Sequence, residues 1–397
     1  MSKKIVFCAD GTWNGPEQQT GQSITEGNDS AGEVGGTSTN VYKFYLNLAG
    51  DVTPETRALQ DEQEKCLLDG AGTVVQVTKY LHGVGDSSNT VTKVLGGVFG
   101  VGVISRIVRG YTFISRHYQP GDDVYITGFS RGAYTARALA GMISRVGLLD
   151  TSKYDVNDKD EAYRRGLAAW YRSKGITLNG AGQLIADANR VLDFFERLVS
   201  SKALSSTDLI ANVPIKTVGV WDTVGSMGVP LYLKDKRLDI FEFTDAKLSD
   251  LVEYGFHAMA IDEMRADFPV TRWDARKQIE QVWFVGAHAD VGGGYDYAES
   301  RLSDVALQWM MTKLGAVGLV FTAPLNCIPD CACSRQAVHC PWDNPPFKLL
   351  AKSPRQPEAN DVFHSSVVDR WKSDASYRPT SLAFVTQENI AGLRVEP

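Results

Sequence analysis

Long apolar runs are missing from this 397-residue chain, and so is any block of five like charges. The N-terminal run in MSKKIVFCADGTW stops at Asp10, and the longest, Val94 to Ile104, is broken by four glycines and followed by Arg106. The first is too short for a signal-peptide core, and neither can span a membrane. A net charge of −6 with both signs interspersed leaves no basic footprint for nucleic acid or an anionic membrane. The expectation is a soluble chain, cytoplasmic as synthesised, without a nucleic-acid partner. Histidine and cysteine are also scarce, at six each, which narrows the search for bases and metal ligands.

Cys8 and Cys66 stand apart, whereas Cys327, Cys331, Cys333 and Cys340 crowd into fourteen residues beside Asp330 and His339. Thiolates and an imidazole this close can complete a zinc tetrahedron. The spacing C-x3-C-x-C-x6-C is not a pair of C-x2-C knuckles, so zinc, disulfides and unpaired loop cysteines stay open as readings.

What is present is an ordinary globular composition, 43% hydrophobic, in which strand and helix patterns alternate. Strands are expected at Lys3 to Ala9, Val74 to Leu81, Val124 to Thr127, Pro214 to Trp221 and Ile279 to His288. Helical spacing covers Val41 to Leu48, Gly96 to Tyr118, Ala133 to Ile143, Asp155 to Ser200 and Leu248 to Met264. The polar stretch from Asn14 to Asn40 reads as a functional or disordered loop. This alternation predicts an α/β fold with a mostly parallel sheet flanked by helices, as one domain over 1–397. Within it, 151–212 reads as a helical cap insertion, 229–278 as a second helical insertion, and 323–361 as an irregular Cys/Pro-rich region.

One pentapeptide carries chemistry. Gly128-Phe129-Ser130-Arg131-Gly132 has the form G-x-S-x-G, with a strand leading in and a helix leading out. At such an elbow the serine backbone is strained, which requires neighbours without clashing side chains, and its hydroxyl stands above the sheet. The plainer alternative is a helix N-cap serine. A serine nucleophile needs a base, and of His82, His117, His257, His288, His339 and His364 only His288 directly follows a buried strand. His257 is expected on a helix face, and His364 is the reserve base. Asp222, after the apolar run IKTVGVW, is the expected acid. Asp290 and Asp262 are its rivals, although Asp290 is only two residues from His288 and is expected instead to shape the glycine loop or bind a hydroxyl or cation. The oxyanion hole would use the backbone N–H of Arg131 and one from Gly11 or Thr12. Asp10-Gly11-Thr12 also echoes the D-x-D-G-T of phosphotransferases, but Cys8 replaces the carboxylate that such chemistry needs.

The successive segments FCADGTWN, TNVYKF, HGVG, GDDVYITGFSRGAYTARALAGMI, GVWDTVGSMG, AIDEMRADF and QVWFVGAHADVGGGY resemble the motifs of the type VI secretion phospholipase effectors of the first lipase group. These form an α/β-hydrolase family formerly catalogued as a domain of unknown function. The resemblance runs from about residue 3 to about residue 322, with an echo in FHSSVVDRW. It implies a bacterial lipolytic enzyme with Ser130 as nucleophile, Asp222 as acid and His288 as base, acting on phospholipid acyl esters without a metal or other cofactor. It further implies transient membrane-surface contact, export by type VI secretion, and a secretion-apparatus or immunity protein as partner. Two other functions are weighed against it: an intracellular carboxylesterase or thioesterase acting on small soluble substrates, and a non-catalytic interaction module. The aromatics Tyr163, Trp170, Tyr171, Phe194 and Phe195 would either line an acyl cleft or pack in the core.

Overall fold

A computed structural model describes residues 2–11, 38–59, 61–83, 98–175, 204–224, 247–296, 299, 301–330, 336–344, 347–349 and 351–397. Its centre is a ten-stranded sheet. The strands are β1 (Lys4–Ala9), β2 (Asp51–Val52), β3 (Glu62–Leu68), β4 (Val74–Leu81), β5 (Asp123–Phe129), β8 (Ile215–Trp221), β9 (Val252–Ala260), β10 (Ile279–Phe284), β11 (Val362–His364) and β12 (Arg394–Glu396). The short pair β6 (Leu148–Leu149) and β7 (Leu209–Ile210) forms a separate ribbon. The order across the large sheet is β12-β11-β10-β9-β8-β5-β1-β4-β3-β2. All neighbours from β12 to β4 run parallel, and β3 and β2 are antiparallel additions at one edge.

Helices α1 (Asn40–Asn47), α2 (Val98–His117), α3 (Arg131–Val146), α4 (Lys159–Ser173), α5 (His288–Gly292), α6 (Arg301–Ala316) and α7 (Ser365–Ser373) flank the sheet. Two apolar layers result. One joins Phe7, Val124 and Ile126 to α2, α3 and α4, and the other joins Val6, Tyr125 and Trp221 to α1 and α6. The central strands are therefore buried on both faces, as a parallel sheet with helices on each side requires.

The expected helix from Leu248 to Met264 is overturned, because Val252–Ala260 is a central strand between β8 and β10. The described part of 229–278 is consequently not a helical insertion. From Gly255 to Ala260 every residue is buried, so the alternation that marks a half-buried strand is absent, and Ala and Met lend a helical look. His257, expected on a helix, lies in this strand and is fully buried. β3 was not anticipated because its sequence, EQEKCLL, is rich in charge. In the fold Glu62 meets Lys79 and Arg109, and Glu64 meets Lys79 and Arg116.

The 151–212 segment contributes α4, which packs on α2 and α3. A Cβ at Gly166 would lie 2.8 Å from Thr112 and 2.9 Å from Val108. Trp170 and Tyr171 are core residues here, with Tyr163 packed at the edge, whereas Phe194 and Phe195 lie outside the described residues. No helix among the described residues is long and apolar enough to cross a membrane.

Candidate active site

The carboxyl ends of five adjacent parallel strands, β1, β5, β8, β9 and β10, deliver Asp10, Ser130, Asp222, Asp262 and His288 toward one rim of the sheet. Strand order changes direction at β1, whose neighbours are β4 and β5, and open α/β sheets bind ligands beyond such a switch point.

Ser130 has φ 56° and ψ −121°, a region that non-glycine residues rarely enter. Its flanking glycines explain how this is tolerated. A Cβ at Gly128 would lie 2.3 Å from the Gly132 carbonyl oxygen, and one at Gly132 would lie 2.0 Å from that of Ala9. The chain thus turns in contact with itself and with the end of β1. Although Ser130 precedes α3, its side chain makes no capping hydrogen bond, which removes the N-cap explanation. Its backbone N–H donates to the Trp221 carbonyl at 3.2 Å, tying the elbow to the residue before Asp222.

Asp222 is fully buried and also has positive φ, 33°. Its Oδ2 lies 2.6 Å from Nδ1 of His288. Its Oδ1 accepts the Ala260 N–H at 2.9 Å, and Arg355 donates to both oxygens, at 3.3 and 3.1 Å. Burial by itself would raise this carboxyl, but Arg355, His288 and the Ala260 amide outweigh it and hold the group well below the usual carboxylate range. An ionised carboxylate on Nδ1 fixes the tautomer that leaves Nε2 as a base.

His288 opens α5. Its backbone N–H donates to Glu263 at 3.2 Å, and its ring is packed by Phe129 and Phe268, with centroids 4.6 and 5.2 Å away. Phe129 immediately precedes Ser130, so this ring contact places the imidazole beside the elbow. No hydrogen bond joins the Ser130 hydroxyl to an imidazole among the described residues. Glu263 is itself fixed by two bonds from the Arg265 guanidinium, at 2.9 and 2.8 Å, and burial is overcome so that its carboxyl stays low.

The other expected residues have different duties. Asp10 is buried and accepts from Tyr80, Thr39 and Gly11, at 2.6, 2.8 and 2.6 Å. The Gly11 N–H is thereby committed to Asp10, contrary to its expected place in an oxyanion hole. Thr12 lies outside the described residues, and Arg131, whose backbone N–H was the other expected donor, opens α3 directly after the serine. Thr39 also caps α1, and Asn40 donates to the carbonyls of Val291 and Ser303, so the TN of TNVYKF ties α1 to α5 and α6. Cys8 is fully buried, and its thiol is pushed up to about 12, mainly by burial, which leaves no nucleophile at that position.

Asp262 accepts from the Gly286 N–H at 2.7 Å and from Tyr377, and does not touch His288. Burial raises it to about 6. Asp290 accepts the Ala287 N–H and pairs with His339 at 2.6 Å, so it clips the 336–344 segment onto α5. His364, the reserve base, ends β11, stacks on Phe284 and bonds to Ser366. Cys327 is buried and Cys340 exposed, both as free thiols, while Cys331 and Cys333 lie outside the described residues. Sequence reasoning missed Arg355 and Glu263, and the pairing of His339 with Asp290. Arg355 is 133 positions from the carboxylate it meets, and no local pattern announces such a pairing.

Residues 3–313 match the sequence profile of the catalytic domain of Tle1-like type VI secretion phospholipase effectors. A relative in Saccharomyces cerevisiae, the uncharacterized protein YEL023C, is 26% identical over 283 residues, covering 67% of this chain and 32% of its own length. An uncharacterized protein from Pseudomonas aeruginosa, solved by crystallography, has a TM-score of 0.42 at 17% identity over 83% of this chain and 47% of its own. The Tle1 effector solved in complex with the VgrG spike has a TM-score of 0.38 at 16% identity, covering 76% and 53% respectively. The chain spans about a third of the yeast relative and about half of each solved chain. The yeast relative also means that sequence likeness of this kind is not confined to bacteria. With some three quarters of its length matched in one continuous stretch that holds Ser130, Asp222 and His288, the chain belongs to the family of Tle1-like phospholipase effector catalytic domains.

Proposed function

We propose that the chain is a serine hydrolase that cleaves phospholipid acyl esters, with Ser130 as nucleophile, His288 as general base and Asp222 as the acid that orients it. The observation that carries this reading is the 2.6 Å contact between Asp222 and Nδ1 of His288, beside a serine held at positive φ between two glycines. Family membership supports the lipolytic part.

In the first half-reaction His288 takes the Ser130 proton on Nε2 while Oγ attacks the ester carbonyl. The tetrahedral oxyanion rests against the N-terminus of α3, where the Arg131 backbone N–H points along the positive end of the helix dipole. Collapse expels the alcohol, which receives the proton from His288 and leaves an acyl-serine. Water, deprotonated by the same nitrogen, then releases the fatty acid and restores Ser130. The serine hydroxyl turns toward Nε2 as substrate enters, since catalytic hydrogen bonds tighten in the Michaelis complex. Export by type VI secretion, with a partner in that apparatus, belongs to the same proposal and rests on the family alone.

Ser130→Ala tests the chemistry. The variant should fold normally, fail to label with a fluorophosphonate, and lose p-nitrophenyl ester hydrolysis by several orders of magnitude. Retained labelling would require another nucleophile, and undiminished hydrolysis would leave the serine without a role. Mass spectrometry of products from defined phospholipid vesicles then identifies the acyl bond that is cut. Turnover of short soluble esters together with inert vesicles would favour a small-molecule esterase instead.

A further inference from the structure

We propose that Arg355 is a positioning residue that acts through Asp222, clamping the carboxylate, as an anion, onto Nδ1 of His288. The inference rests on the serine-hydrolase reading above and adds to it a part that the triad itself does not contain.

Arg355 is only 6% exposed, and all its hydrogen bonds among the described residues go to the two oxygens of Asp222. The approach is two-pronged, the geometry by which a guanidinium fixes the plane of a carboxylate as well as its charge. The segment that carries it is pinned just upstream. Ala266 donates to the Ala351 carbonyl, Arg265 and Lys352 form a bridge pair, and Ser353 donates to the Met264 carbonyl at 2.7 Å. Pro354 and Pro357 bracket the arginine and restrict the backbone around it. The same 263–266 stretch supplies Glu263, which holds the His288 N–H, so one short segment braces both members of the pair.

Stability alone gives a weak reason for this arrangement. A buried ion pair must recover the desolvation of both partners, and a well-packed apolar residue often serves as well. The effect on the carboxylate is specific. Burial pushes Asp222 toward its protonated form, and the Arg355 guanidinium is the strongest of the groups that oppose this. Asp222 then stays ionised, and able to hold Nδ1 of His288, under more acidic conditions.

The other charged or titratable groups around the pair do not compete for this role. His257 of β9, whose Nε2 accepts the Thr223 N–H, is pushed down to about 3 by burial and by Arg137, so it stays neutral. Glu263 is ionised and paired with Arg265. Arg137 of α3 lies behind His257, with its guanidinium over Trp273. The acid limb of the pH–rate profile is therefore where loss of the Arg355 charge is read.

The test is kcat/KM against pH on a soluble p-nitrophenyl ester for the wild-type protein, Arg355→Met, Arg355→Gln and Arg355→Lys, each checked for folding by circular dichroism. In Arg355→Met the acid limb should move up by about one pH unit or more, the range expected when an opposite charge is removed at this distance. Arg355→Lys, which keeps the charge but loses the fork, should hold the limb at the wild-type position with a reduced plateau. If the methionine variant does not fold, Arg355→Gln, which can still donate a hydrogen bond but is uncharged, should show the same upward shift. A limb unmoved in the neutral variants, with only a lower plateau or melting temperature, would reduce Arg355 to a structural ion pair and overturn the proposal. Activity persisting in Ser130→Ala would instead overturn the underlying reading, so the two failures are distinguishable.

Discussion

Replacing Gly132 by alanine should be among the most damaging single-methyl changes available in this chain, while the same change at Gly141, nine residues along the same helix, should be neutral or favourable. A Cβ at Gly132 would stand 2.0 Å from the Ala9 carbonyl oxygen, 2.5 Å from that of Asp10 and 2.7 Å from the Ala9 carbonyl carbon. All three neighbours are backbone atoms, so no side chain can rotate away. They are also held. Ala9 ends a strand with partners on both sides, the Asp10 N–H donates to the Leu81 carbonyl at 3.0 Å, and the Asp10 carbonyl accepts from Arg106 at 2.6 Å. Relief therefore means pulling α3 off the end of β1, which disturbs the elbow and the buried Asp10 network together. Overpacking of a rigid core costs roughly 1–3 kcal/mol where something can yield. With nothing to yield, about 4 kcal/mol or more is expected, the range reserved for disrupted special backbone.

Gly141 supplies the internal control. Nothing lies within 4 Å of its virtual Cβ, and it sits mid-helix in α3. Alanine there should stabilise by about 0.5–1 kcal/mol through reduced backbone entropy in the unfolded chain. Urea unfolding followed by far-UV circular dichroism, with fluorophosphonate labelling of the same samples, measures both. A Gly132→Ala protein unfolding within about 1 kcal/mol of wild type would refute the packing argument. So would a Gly141→Ala protein as damaged as Gly132→Ala.

Two buried ionisable groups give pH predictions of defined sign. Asp262 has a folded-state value of about 6 against 3.8 unfolded, so the native state holds its proton more tightly, and stability should fall as pH rises between those values. Asn cannot titrate, so the stability of Asp262→Asn relative to wild type should improve by about 2 kcal/mol from pH 4 to pH 7, and parallel stability curves would contradict this. His339 is raised by its bond to Asp290, so its stabilising contribution should be fully present below its unfolded value of 6.5 and fade as pH climbs through the higher folded value. The melting-temperature gap between wild type and His339→Gln should accordingly be wider at pH 6 than at pH 9, and a constant gap would remove the charge from the explanation.

The elbow was legible in the sequence because its requirements are local: a strand, two glycines and a helix within twenty residues. Asp222 and His288 were legible for a related reason. Each follows an apolar run at a strand end, and a mostly parallel sheet sends all such ends to one side. β9 was not legible, because complete burial erases alternation, and the residues that fill it, Phe256, Ala258, Met259 and Ala260, serve a helix equally well. Gly11 shows a different limit. Its position near the site was predictable from the turn after β1, but the direction of its N–H was not, since that depends on whether Asp10 folds back on it. Arg355 lay beyond reach because its meaning resides entirely in a partner from another part of the chain.

The two non-glycine residues with positive φ at the site, Ser130 and Asp222, end neighbouring strands and are linked through the Ser130 N–H to Trp221 carbonyl bond. Each such conformation costs on the order of 1–3 kcal/mol and persists only where its surroundings over-determine it. At Ser130 the determinants are steric, the close contacts of Gly128 and Gly132. At Asp222 they are polar: its N–H to Ala258, Ala260 on Oδ1, His288 on Oδ2, and Arg355 across both. A side chain meant only to fill the core would have no use for so many donors. The strain and the donors converge on the orientation of one carboxylate, and through it on one imidazole beside the serine, and this convergence is the ground on which we propose the chemistry at this rim of the sheet.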